Sequence, residues 1–229
     1  MDLLQRILHD GGVQTKTEYP LCAHSTFRIG GSARLALFPE TREQVLLSLA
    51  LIERAGIPLW VIGNGSNVLF PDEGLDGAVL FTGRWREITV EGDTLRASAG
   101  VPLSALAKRA QEESLNALAF AHGIPGTLGG AVLMNAGAYG GEMKDVLVSC
   151  NHLDFSGNPG RLTGDMLALS YRRSAYTDKY FVITGITVKL QKGDKAEIGG
   201  HGSGSGVHMV IGLAAVNAHK MPVVHAVAF

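Results

Sequence analysis

The amino-acid sequence predicts an α+β protein in which a small α/β unit precedes a larger α+β unit. A strand–helix–strand pattern near the start of the chain indicates the first unit. Short strands separated by turn residues, with one amphipathic helix among them, indicate the second. The chain has 229 residues, of which 46% are hydrophobic and 18% charged, which is enough to bury a sizeable core. We expect subdomains at residues 1–80 and 81–195 and an atypical tail at 196–229.

The first unit is predicted from one strand, one helix and a second strand. Ala33–Phe38 is a short apolar run, and Thr41 follows as a helix N-cap with Gln44 as its capping-box partner. Apolar residues at helical spacing then continue until Gly56 ends the helix. Leu59–Ile62 is the next apolar strand. The pattern predicts a parallel pair of strands joined by a crossover helix.

The second unit is predicted from five short strands and one helix. Pro102 occupies the favoured first position of that helix. Its predicted buried stripe is Leu103, Leu106, Ala107 and Ala110. The predicted strands are Ala78–Phe81, Glu87–Val90, Thr94–Ala99, Val146–Phe155 and Phe181–Leu190.

Composition argues against several classes of protein. The net charge of −1 gives no basic surface for nucleic acid. Cys22 and Cys150 form neither a disulfide framework nor a zinc-ligand pattern, which favours a reducing cytoplasm. Met1–Asp10 is not typical of a signal peptide, and no apolar run is long enough to predict a membrane span. We expect no metal and no protein partner, because the histidines are irregularly spaced and no partner motif is evident.

A glycine-rich loop, Gly63-Asn64-Gly65-Ser66-Asn67, leaves the second strand at its C-terminal end. Ligands bind at such ends in open α/β sheets. Consecutive backbone amides in a glycine turn form an anion site that suits a pyrophosphate, and Ser66 and Asn67 add side-chain donors. The alternative is an ordinary turn after a strand.

A second glycine cluster runs from Gly123 to Gly141. In it, Thr127 can cap a short helix, and Gly129 and Gly130 leave no side chains where a flat ring or a phosphate would lie. So much glycine at a helix start costs roughly 1 kcal/mol per residue relative to alanine, which favours an approach of ligand to backbone. The alternative is tight packing of a helix on a sheet.

The third candidate element is Tyr171-Arg172-Arg173-Ser174. A guanidinium keeps its charge and can hold a carboxylate or stabilise a developing enolate. The alternative is a solvated pair of arginines at the edge of a strand or loop.

Taken together, these segments resemble one family of flavoenzymes. The order Ser25-Thr26-Phe27-Arg28-Ile29-Gly30-Gly31, then the loop Gly63–Asn67, then GIPGTLGGAVLMNAGAYGGE at Gly123–Glu142, then Tyr171–Ser174 is similar to that of UDP-N-acetylenolpyruvoylglucosamine reductases. The resemblance covers about residues 1–195, and the third segment is its most specific part.

The resemblance implies a two-subdomain FAD-binding fold, with NADPH as the hydride source and a UDP-sugar enolpyruvyl ether as the substrate. The product would be UDP-N-acetylmuramate, a peptidoglycan precursor. Arg172 would be catalytic by stabilising the enol intermediate, and Tyr171 would help to shape the substrate site. The residues that the resemblance assigns to the cofactor are Gly63, Asn64, Gly65, Ser66, Asn67, Gly123, Ile124, Pro125, Gly126, Thr127, Gly129, Gly130, Asn135, Gly137 and Ala138.

The sequence departs from this family after about residue 195. The family's substrate domain, with its proton-donating serine and later glutamate, has no recognisable match. Gly199–Gly206 has the composition of a flexible linker, and Val207–Phe229 lacks helix caps and strand alternation. Three hypotheses for this tail are a remnant of cloning, a chimera and a frameshift. The codons of Lys220–Ala228, read one base out of frame, can encode a segment similar to the one before that serine, which favours the frameshift. We therefore expect impaired reduction, or alternatively a flavin-binding module without complete catalysis of its own.

Overall fold

The computed structural model describes residues 2–193 and 214–215. The predicted linker at Gly199–Gly206, the tail after it apart from Ala214–Ala215, and the frameshift hypothesis for Lys220–Ala228 all lie outside the described residues. The α+β class expected from the sequence is confirmed, because the described residues form one largely parallel sheet, one antiparallel sheet, three small two-stranded sheets and several helices.

The elements of the described residues run in the following order along the chain. The α-helices are α1 Asp2–Asp10, α2 Arg42–Ala55, α3 Leu103–Glu112 and α4 Leu128–Leu133. The strands are β1 Gln14–Pro20, β2 Ser32–Phe38, β3 Leu59–Ile62, β4 Val68–Leu69, β5 Leu75–Phe81, β6 Ile88–Glu91, β7 Thr94–Ser98, β8 Leu115–Asn116, β9 Gly137–Ala138, β10 Gly141–Glu142, β11 Leu147–Asp154, β12 Pro159–Thr163, β13 Phe181–Lys189, β14 Gln191–Lys192 and β15 Ala214–Ala215. Short 3₁₀ helices span Leu21–His24, Thr82–Arg84, Ala119–Ala121, Met143–Asp145 and Gly164–Leu167.

The first sheet has the strand order β1-β2-β5-β3. Strands β2 and β3 both run parallel to β5, which lies between them, and β1 pairs antiparallel at the edge. The expected direct pairing of the two predicted strands is therefore wrong, although the crossover helix between them is present. Ala78–Phe81, which we assigned to the second unit, is part of β5 and so belongs to this sheet.

The central strands of this sheet are nearly continuous apolar runs because both of their faces are buried. One face packs against α2, whose Val45, Leu49 and Ile52 are buried. The other face carries the aromatic side chains of Trp60 and Phe81.

Helix α2 begins and ends nearly as the sequence predicts. The Thr41 hydroxyl accepts a hydrogen bond from the backbone N–H of Gln44, and Gly56 ends the helix in the left-handed conformation. The Gln44 side chain accepts from the backbone N–H of Glu40, one residue before the expected partner. The helix is thus capped at both ends by local contacts, which fixes the direction in which β3 leaves it.

The second sheet has the strand order β12-β11-β13-β7-β6, with every pairing antiparallel. The predicted hairpin across Gly92-Asp93 is present as β6–β7. Helices α3 and α4 contribute to the core on this sheet, and the four predicted stripe residues of α3 are all buried. Pro102 is the N-cap of α3 and its first helical residue is Leu103, one later than predicted.

The two sheets meet where β5 and β7 end. A Cβ added at Gly100, just after β7, would lie 1.8 Å from the carbonyl oxygen of Thr82, just after β5. Only glycine allows this close approach of backbone to backbone. The main sheets are built from residues 14–81 and 88–189, whereas the division of the chain into subdomains at residue 80 remains a prediction.

Two features are absent from residues 2–193 and 214–215. These residues contain no helix that is both long and apolar enough to cross a membrane. They also contain no group of three or more His, Cys, Asp or Glu side chains arranged to hold a metal ion.

Candidate functional site

A cavity lies between the loop that follows β3 and helix α4. The empty space in it is about 1060 Å³, including solvent at its mouth. Its lining brings together most of the sequence-predicted residues, namely Gly63, Asn64, Gly65, Ser66, Asn67, Ile124, Pro125, Gly126, Thr127, Gly129, Gly130, Gly137 and Arg172. Residues that sequence reasoning did not single out complete the lining, namely Val61, Ile62, Val68, Thr82, Ala99, Leu103, Ala131, Leu133, Met134, Ala136 and Ile183. Three segments that are far apart in sequence therefore form one concave site.

The loop Gly63–Asn67 needs its glycines. Gly65 has a φ of +63°, and a Cβ added there would lie 1.8 Å from the carbonyl oxygen of His24. The Gly65 carbonyl in turn accepts a hydrogen bond from the backbone N–H of Thr26 at 3.1 Å. A Cβ at Gly63 would lie 2.2 Å from the hydroxyl oxygen of Thr127. The loop is thus fixed between the chain before β2 and the segment that precedes α4.

The segment before α4 contacts the loop directly. The Ser66 hydroxyl donates to the carbonyl of Pro125 at 3.1 Å. Gly126 has a φ of +131°, and a Cβ there would lie 2.9 Å from the Ser66 hydroxyl oxygen. This hydrogen bond from Ser66 connects the glycine loop to the segment before α4, and Ser66 also lines the cavity.

Thr127 occupies the N-cap position of α4, but its hydroxyl makes no capping hydrogen bond, so the predicted cap contact is wrong. The hydroxyl oxygen is buried and has no hydrogen-bond partner among the described residues. An unpaired polar atom in a buried place is costly, by roughly 1–3 kcal/mol. Thr127 also lines the cavity, so this unpaired hydroxyl belongs to the candidate site.

The two glycines of α4 have different surroundings. A Cβ at Gly129 would lie 2.9 Å from the Cβ of Ala99, and the Gly129 backbone N–H donates to the Ala99 carbonyl. A Cβ at Gly130 would meet nothing closer than the Thr127 hydroxyl at 3.7 Å. The packing alternative thus explains Gly129, whereas Gly130 leaves open space beside the cavity.

Asn67 contacts the far end of the same helix. Its side-chain Nδ2 donates to the sulfur of Met134 at 2.9 Å, and Met134 is the C-cap of α4. The Asn67 Oδ1 atom is buried and has no partner among the described residues. Sequence reasoning missed Met134, since a methionine within a helix is most simply explained as part of the core.

Arg172 reaches the cavity because of a tight turn. Ser170 and Arg173 exchange two backbone hydrogen bonds, and Arg172 between them has a φ of +57°. The Ser174 hydroxyl donates to the carbonyl of Leu133 in α4 at 2.8 Å, which attaches the turn to the helix. The long-range contact with α4 brings the turn to the cavity.

The two adjacent arginines have different environments, although the sequence treats them alike. Arg172 is half-buried and lines the cavity, whereas Arg173 is exposed and pairs with Asp178 at 3.1 Å. The Tyr171 side chain is 76% exposed and does not line the cavity. Its ring lies 5.6 Å from the guanidinium carbon of Arg172. The solvated-pair alternative therefore fits Arg173, and the role of Tyr171 at the substrate stays a prediction.

Asn135 connects the turn to the rest of the site. Its side chain is 2% exposed and donates to the carboxylate of Glu142 and the carbonyl of Ser170, at 2.8 and 3.1 Å. It also accepts from the backbone N–H of Lys144 at 2.9 Å. Asn135 does not line the cavity, so its predicted contact with a cofactor remains a prediction.

The Glu142 carboxylate lies in a positive environment. A hydrogen bond from the Lys144 ammonium, at 2.9 Å, is the largest cause that lowers the pKa of Glu142, and the charge of Arg172 lowers it further. The carboxylate therefore stays ionised at neutral pH and holds a negative charge near Arg172. Of the remaining predicted residues, Gly137 lines the cavity, whereas Gly123 and Ala138 do not.

His24 lies behind the glycine loop. Burial lowers its pKa, and a hydrogen bond with the backbone of Gly63 opposes that shift. Its ring packs on Phe81 with centroids 4.0 Å apart. The histidine is thus held neutral at pH 7, beneath the loop that lines the cavity.

A comparison with protein families identifies a matching family. Residues 33–162 match the model that describes an FAD binding domain. This match covers both glycine-rich segments and ends before the turn that carries Arg172.

Curated relatives match over most of the described chain. A UDP-N-acetylenolpyruvoylglucosamine reductase of Clostridioides difficile (strain 630) is 39% identical over 184 residues, which is 80% of this chain and 60% of the relative. One of Clostridium perfringens (strain 13 / Type A) is 41% identical over 179 residues, 78% of this chain and 59% of the relative. The chain therefore spans about 60% of the length of these relatives.

Solved structures agree with the fold. The crystal structure of the UDP-N-acetylenolpyruvylglucosamine reductase of Thermus caldophilus is similar with a TM-score of 0.66 at 30% identity, and the match covers 81% of this chain and 65% of that one. The wild-type BBE-like 1 protein of Physcomitrella patens has a TM-score of 0.61 at 17% identity over 82% of this chain and 44% of that chain, a likeness of fold alone.

Proposed function

The chain belongs to the FAD binding domain family, and on that premise we propose that it is the flavin-binding part of a reductase for UDP-N-acetylenolpyruvoylglucosamine. The observation that carries the proposal is the convergence of the two glycine-rich segments and Arg172 on one cavity. The similarity to reductases of that name supports the substrate. The reaction would belong to peptidoglycan precursor synthesis in the cytoplasm.

The cavity has the features that FAD requires. The residues of the loop Gly63–Asn67 line one side, and the backbone amides of such a glycine turn suit an acceptor-rich pyrophosphate. Two buried polar atoms, the Thr127 hydroxyl oxygen and the Asn67 side-chain carbonyl oxygen, lack hydrogen-bond partners among the described residues. In this proposal the cofactor forms hydrogen bonds with them. Gly130 leaves space at the surface of α4 where a flat ring can approach. The donor set therefore matches a ligand that carries phosphates, hydroxyls and an aromatic ring.

Each cavity residue has a definite contribution in this proposal. The loop Gly63–Asn67 and the segment Ile124–Thr127 would bind the cofactor through backbone and short polar groups. The apolar Leu103, Met134 and Ile183 would exclude water from it, since they line the same space. When bound, FAD would accept two electrons from NADPH and deliver them to the substrate.

Arg172 would act on the substrate. Its guanidinium is permanently charged and cannot donate a proton, so it serves to hold a carboxylate and to stabilise negative charge. Reduction of an enol-ether double bond adds a hydride to one carbon and a proton to the other. Negative charge develops on the carboxylate side in between, and Arg172 lowers the energy of that state. Tyr171 would orient Arg172 through the contact of its ring with the guanidinium.

The proton requires a further group. The described cavity lining has no carboxylic acid, histidine, cysteine, tyrosine or lysine. Of its hydroxyl groups, those of Ser66 and Thr82 donate to backbone carbonyls, and we assign that of Thr127 to the cofactor. We therefore expect the 229-residue polypeptide, assayed by itself, to accept electrons from NADPH but to reduce the enolpyruvyl substrate slowly. Lack of a positioned acid alone costs about 10²–10⁴-fold in rate.

Flavin binding is the first test. The purified protein is expected to quench FAD fluorescence on titration, or to retain a flavin spectrum after free cofactor is removed. A folded protein that neither quenches FAD fluorescence nor retains a flavin spectrum would contradict the proposal that it binds FAD.

Arg172 separates cofactor binding from chemistry. We expect Arg172→Ala to leave the FAD dissociation constant within about 3-fold, because in this proposal the guanidinium binds the substrate carboxylate, and to slow substrate reduction by about 10²-fold or more. Arg173→Ala is the matched control, since its side chain faces solvent. Loss of flavin binding by a folded Arg172→Ala protein would show that the assigned role is wrong.

The two half-reactions are compared in one sample by stopped-flow absorbance. Reduction by NADPH is expected to be rapid and reoxidation by the enolpyruvyl substrate slow. Fast reoxidation would show that the polypeptide is a complete reductase, and absence of both steps despite tight FAD binding would favour a flavin-binding module.

A further inference from the structure

A groove lies on the face of the second sheet that α3 and α4 leave uncovered. The empty space in it is about 1230 Å³, including solvent at its mouth. It shares no lining residue with the cavity between the glycine loop and α4. We propose that this groove binds a small polyanion, a molecule that carries two or more phosphate or carboxylate groups. The inference is independent of the proposed function, because the two sites are separate.

The floor of the groove is the polar face of the second sheet. Successive residues of a strand point to opposite faces, and Cys150 and Ile186 point into the core that contains α3 and α4. Their neighbours point the other way, and the strand register places them side by side on β12, β11, β13 and β7. The floor includes Arg161, Asn151, Gly185, Thr187, Arg96 and Ser98. Gly185 has no side chain, so space is left above the middle of the sheet.

One wall is formed where the two sheets are connected. Trp85 directly follows the 3₁₀ helix Thr82–Arg84, and Arg42 is the first residue of α2; both line the groove. The N-terminal end of a helix carries the positive end of its dipole, so it attracts anions and repels cations. Arg42 is therefore unfavourably placed with respect to α2 alone. An anion bound beside it would interact favourably with both the guanidinium and the helix.

The charged groups of the groove are mostly positive. Its lining contains one carboxylate, that of Glu87, and three guanidinium groups, those of Arg42, Arg96 and Arg161. Arg96 pairs with Glu91 at 2.8 Å, whereas Arg42 and Arg161 form no ion pair with any described residue. Guanidinium groups around one space repel each other. A ligand with several negative charges removes this repulsion, which favours a polyanion over a neutral ligand.

The groove also presents hydrogen-bond donors. Arg161 donates from Nη2 to the Ser149 hydroxyl at 2.9 Å, which holds the guanidinium against the sheet. A guanidinium has five N–H groups, and a carboxylate or a phosphate accepts two of them side by side. The indole Nε1 of Trp85 is a buried donor without an acceptor among the described residues. Burial lowers the pKa of His152, which also lines the groove, so this residue adds no charge at pH 7. The donors match oxyanions, because oxyanions only accept.

The first test is a titration of the full chain saturated with FAD. FAD occupies the cavity beside the glycine loop, so a phosphate probe cannot bind there. Isothermal titration calorimetry with tripolyphosphate and with citrate is expected to show one saturable site for at least one probe, and the stronger probe identifies phosphate or carboxylate as the preferred group. A folded protein that binds neither probe would overturn the proposal. A protein that binds no FAD refutes the proposed function instead, and the groove is then titrated without flavin.

Arg42→Gln tests whether the probe binds in the groove. Removal of one charge-assisted contact is expected to weaken probe binding by about 10-fold. Arg54→Gln is the matched control, because it removes the same charge from the last turn of the same helix. The two positions are about 18 Å apart along α2, which exceeds the Debye length of about 8 Å at an ionic strength of about 0.15 M. We expect the control to change affinity by less than about 2-fold. Equal losses for the two variants would overturn the proposal, because the probe would then respond to the overall charge and not to the groove.

Glu87→Gln gives a change in the opposite direction. Its carboxylate is the only one in the described lining and repels an anion, so the variant is expected to bind the probe about 3-fold more tightly. Glu112→Gln, at an exposed position of α3 outside the groove, is the control and should leave the affinity unchanged. A gain of affinity cannot result from damage to the fold. Unchanged or weaker binding by Glu87→Gln would place the probe outside the groove and overturn the proposal.

Discussion

The two walls of the cavity are built in different ways. The loop Gly63–Asn67 forms one wall within five consecutive residues, directly after a strand, and its shape comes from glycine conformations and backbone contacts. The opposite wall combines α4 with the turn at Ser170–Arg173, which lies about forty residues later in the chain. The first wall therefore depends on glycine conformations and on close backbone contacts, among them the one with His24, whereas the second depends on side-chain hydrogen bonds between distant segments.

This difference has a consequence for ligand chemistry. Backbone amides present a regular array that suits an anion whatever the side chains are. The second wall places one charged group, Arg172, at a defined point, and that point is set by Asn135 and Ser174. We expect changes in the first wall to affect cofactor affinity and changes in the second to affect the placement of the guanidinium.

The largest expected effect follows from Gly65→Ala in the first wall. The added methyl group would collide with the His24 carbonyl, and the backbone would remain in the left-handed region. We expect a loss of about 2–4 kcal/mol in the free energy of unfolding, together with loss of FAD binding. Thermal or urea unfolding and flavin titration measure both.

Gly92→Ala is the control for that change. Gly92 has nearly the same φ, +64°, but its Cβ would meet no atom within 4 Å. Gly92→Ala therefore measures only the strain of an alanine in the left-handed conformation, and we expect it to lower the free energy of unfolding by about 1 kcal/mol. Equal losses for the two variants would mean that the contact of the loop with His24 contributes nothing.

Asn135→Gly tests the second wall. Glycine permits the left-handed φ of +44° but removes the bonds to Glu142, Ser170 and Lys144. Loss of these buried hydrogen bonds is expected to cost about 1–3 kcal/mol of stability. FAD affinity should change little while reaction with substrate slows. A selective loss of FAD affinity in a stable protein would instead support the cofactor contact that the sequence predicts for Asn135.

Within α4, two neighbouring glycines distinguish packing from ligand contact. Gly129→Ala forces a methyl group against Ala99 and is expected to destabilise the protein by about 1–2 kcal/mol. Gly130→Ala meets open space and is expected to raise stability by about 0.5 kcal/mol through helix propensity, while weakening flavin binding. Flavin titration and unfolding measure the two effects separately. A destabilised Gly130→Ala protein with unchanged affinity would contradict this assignment.

The smallest expected effect is on the pH dependence of the free energy of unfolding, through His24 behind the first wall. Burial lowers the pKa of His24 below its ordinary value of 6.5, so the unfolded chain binds a proton more readily than the folded one. This contribution to stability is complete above about pH 6.5 and is lost as the pH falls through that value toward the folded pKa. His24→Phe keeps an aromatic ring packed on Phe81 and should flatten the pH dependence of the free energy of unfolding below about pH 6.5. The same slope in the variant would exclude His24 as its source, leaving His152, whose pKa burial also lowers.

The sequence determined the elements whose signals are local. The capped helix α2, the strand β3 and the glycine loop at its end could be predicted because Thr41 and Gly56 cap the helix through local contacts and Gly65 adopts a left-handed turn conformation that glycine favours. The same holds for the hairpin β6–β7 and the buried stripe of α3. Strands β1 and β12 and helix α1 were missed. Both strands are edge strands with largely exposed side chains, so they lack a strong apolar pattern.

The tertiary structure decided the strand order and the contacts between segments that are distant in sequence. It placed β5 between β2 and β3, although that strand follows both in the chain. It gave the adjacent residues Arg172 and Arg173 different environments, since Arg172 lines the cavity and Arg173 pairs with Asp178. It likewise packed Gly129 against Ala99 and left open space at Gly130. It also turned the amide of Asn67 toward Met134. Each of these outcomes depends on a contact between residues far apart in sequence, which short-range propensity and spacing do not encode.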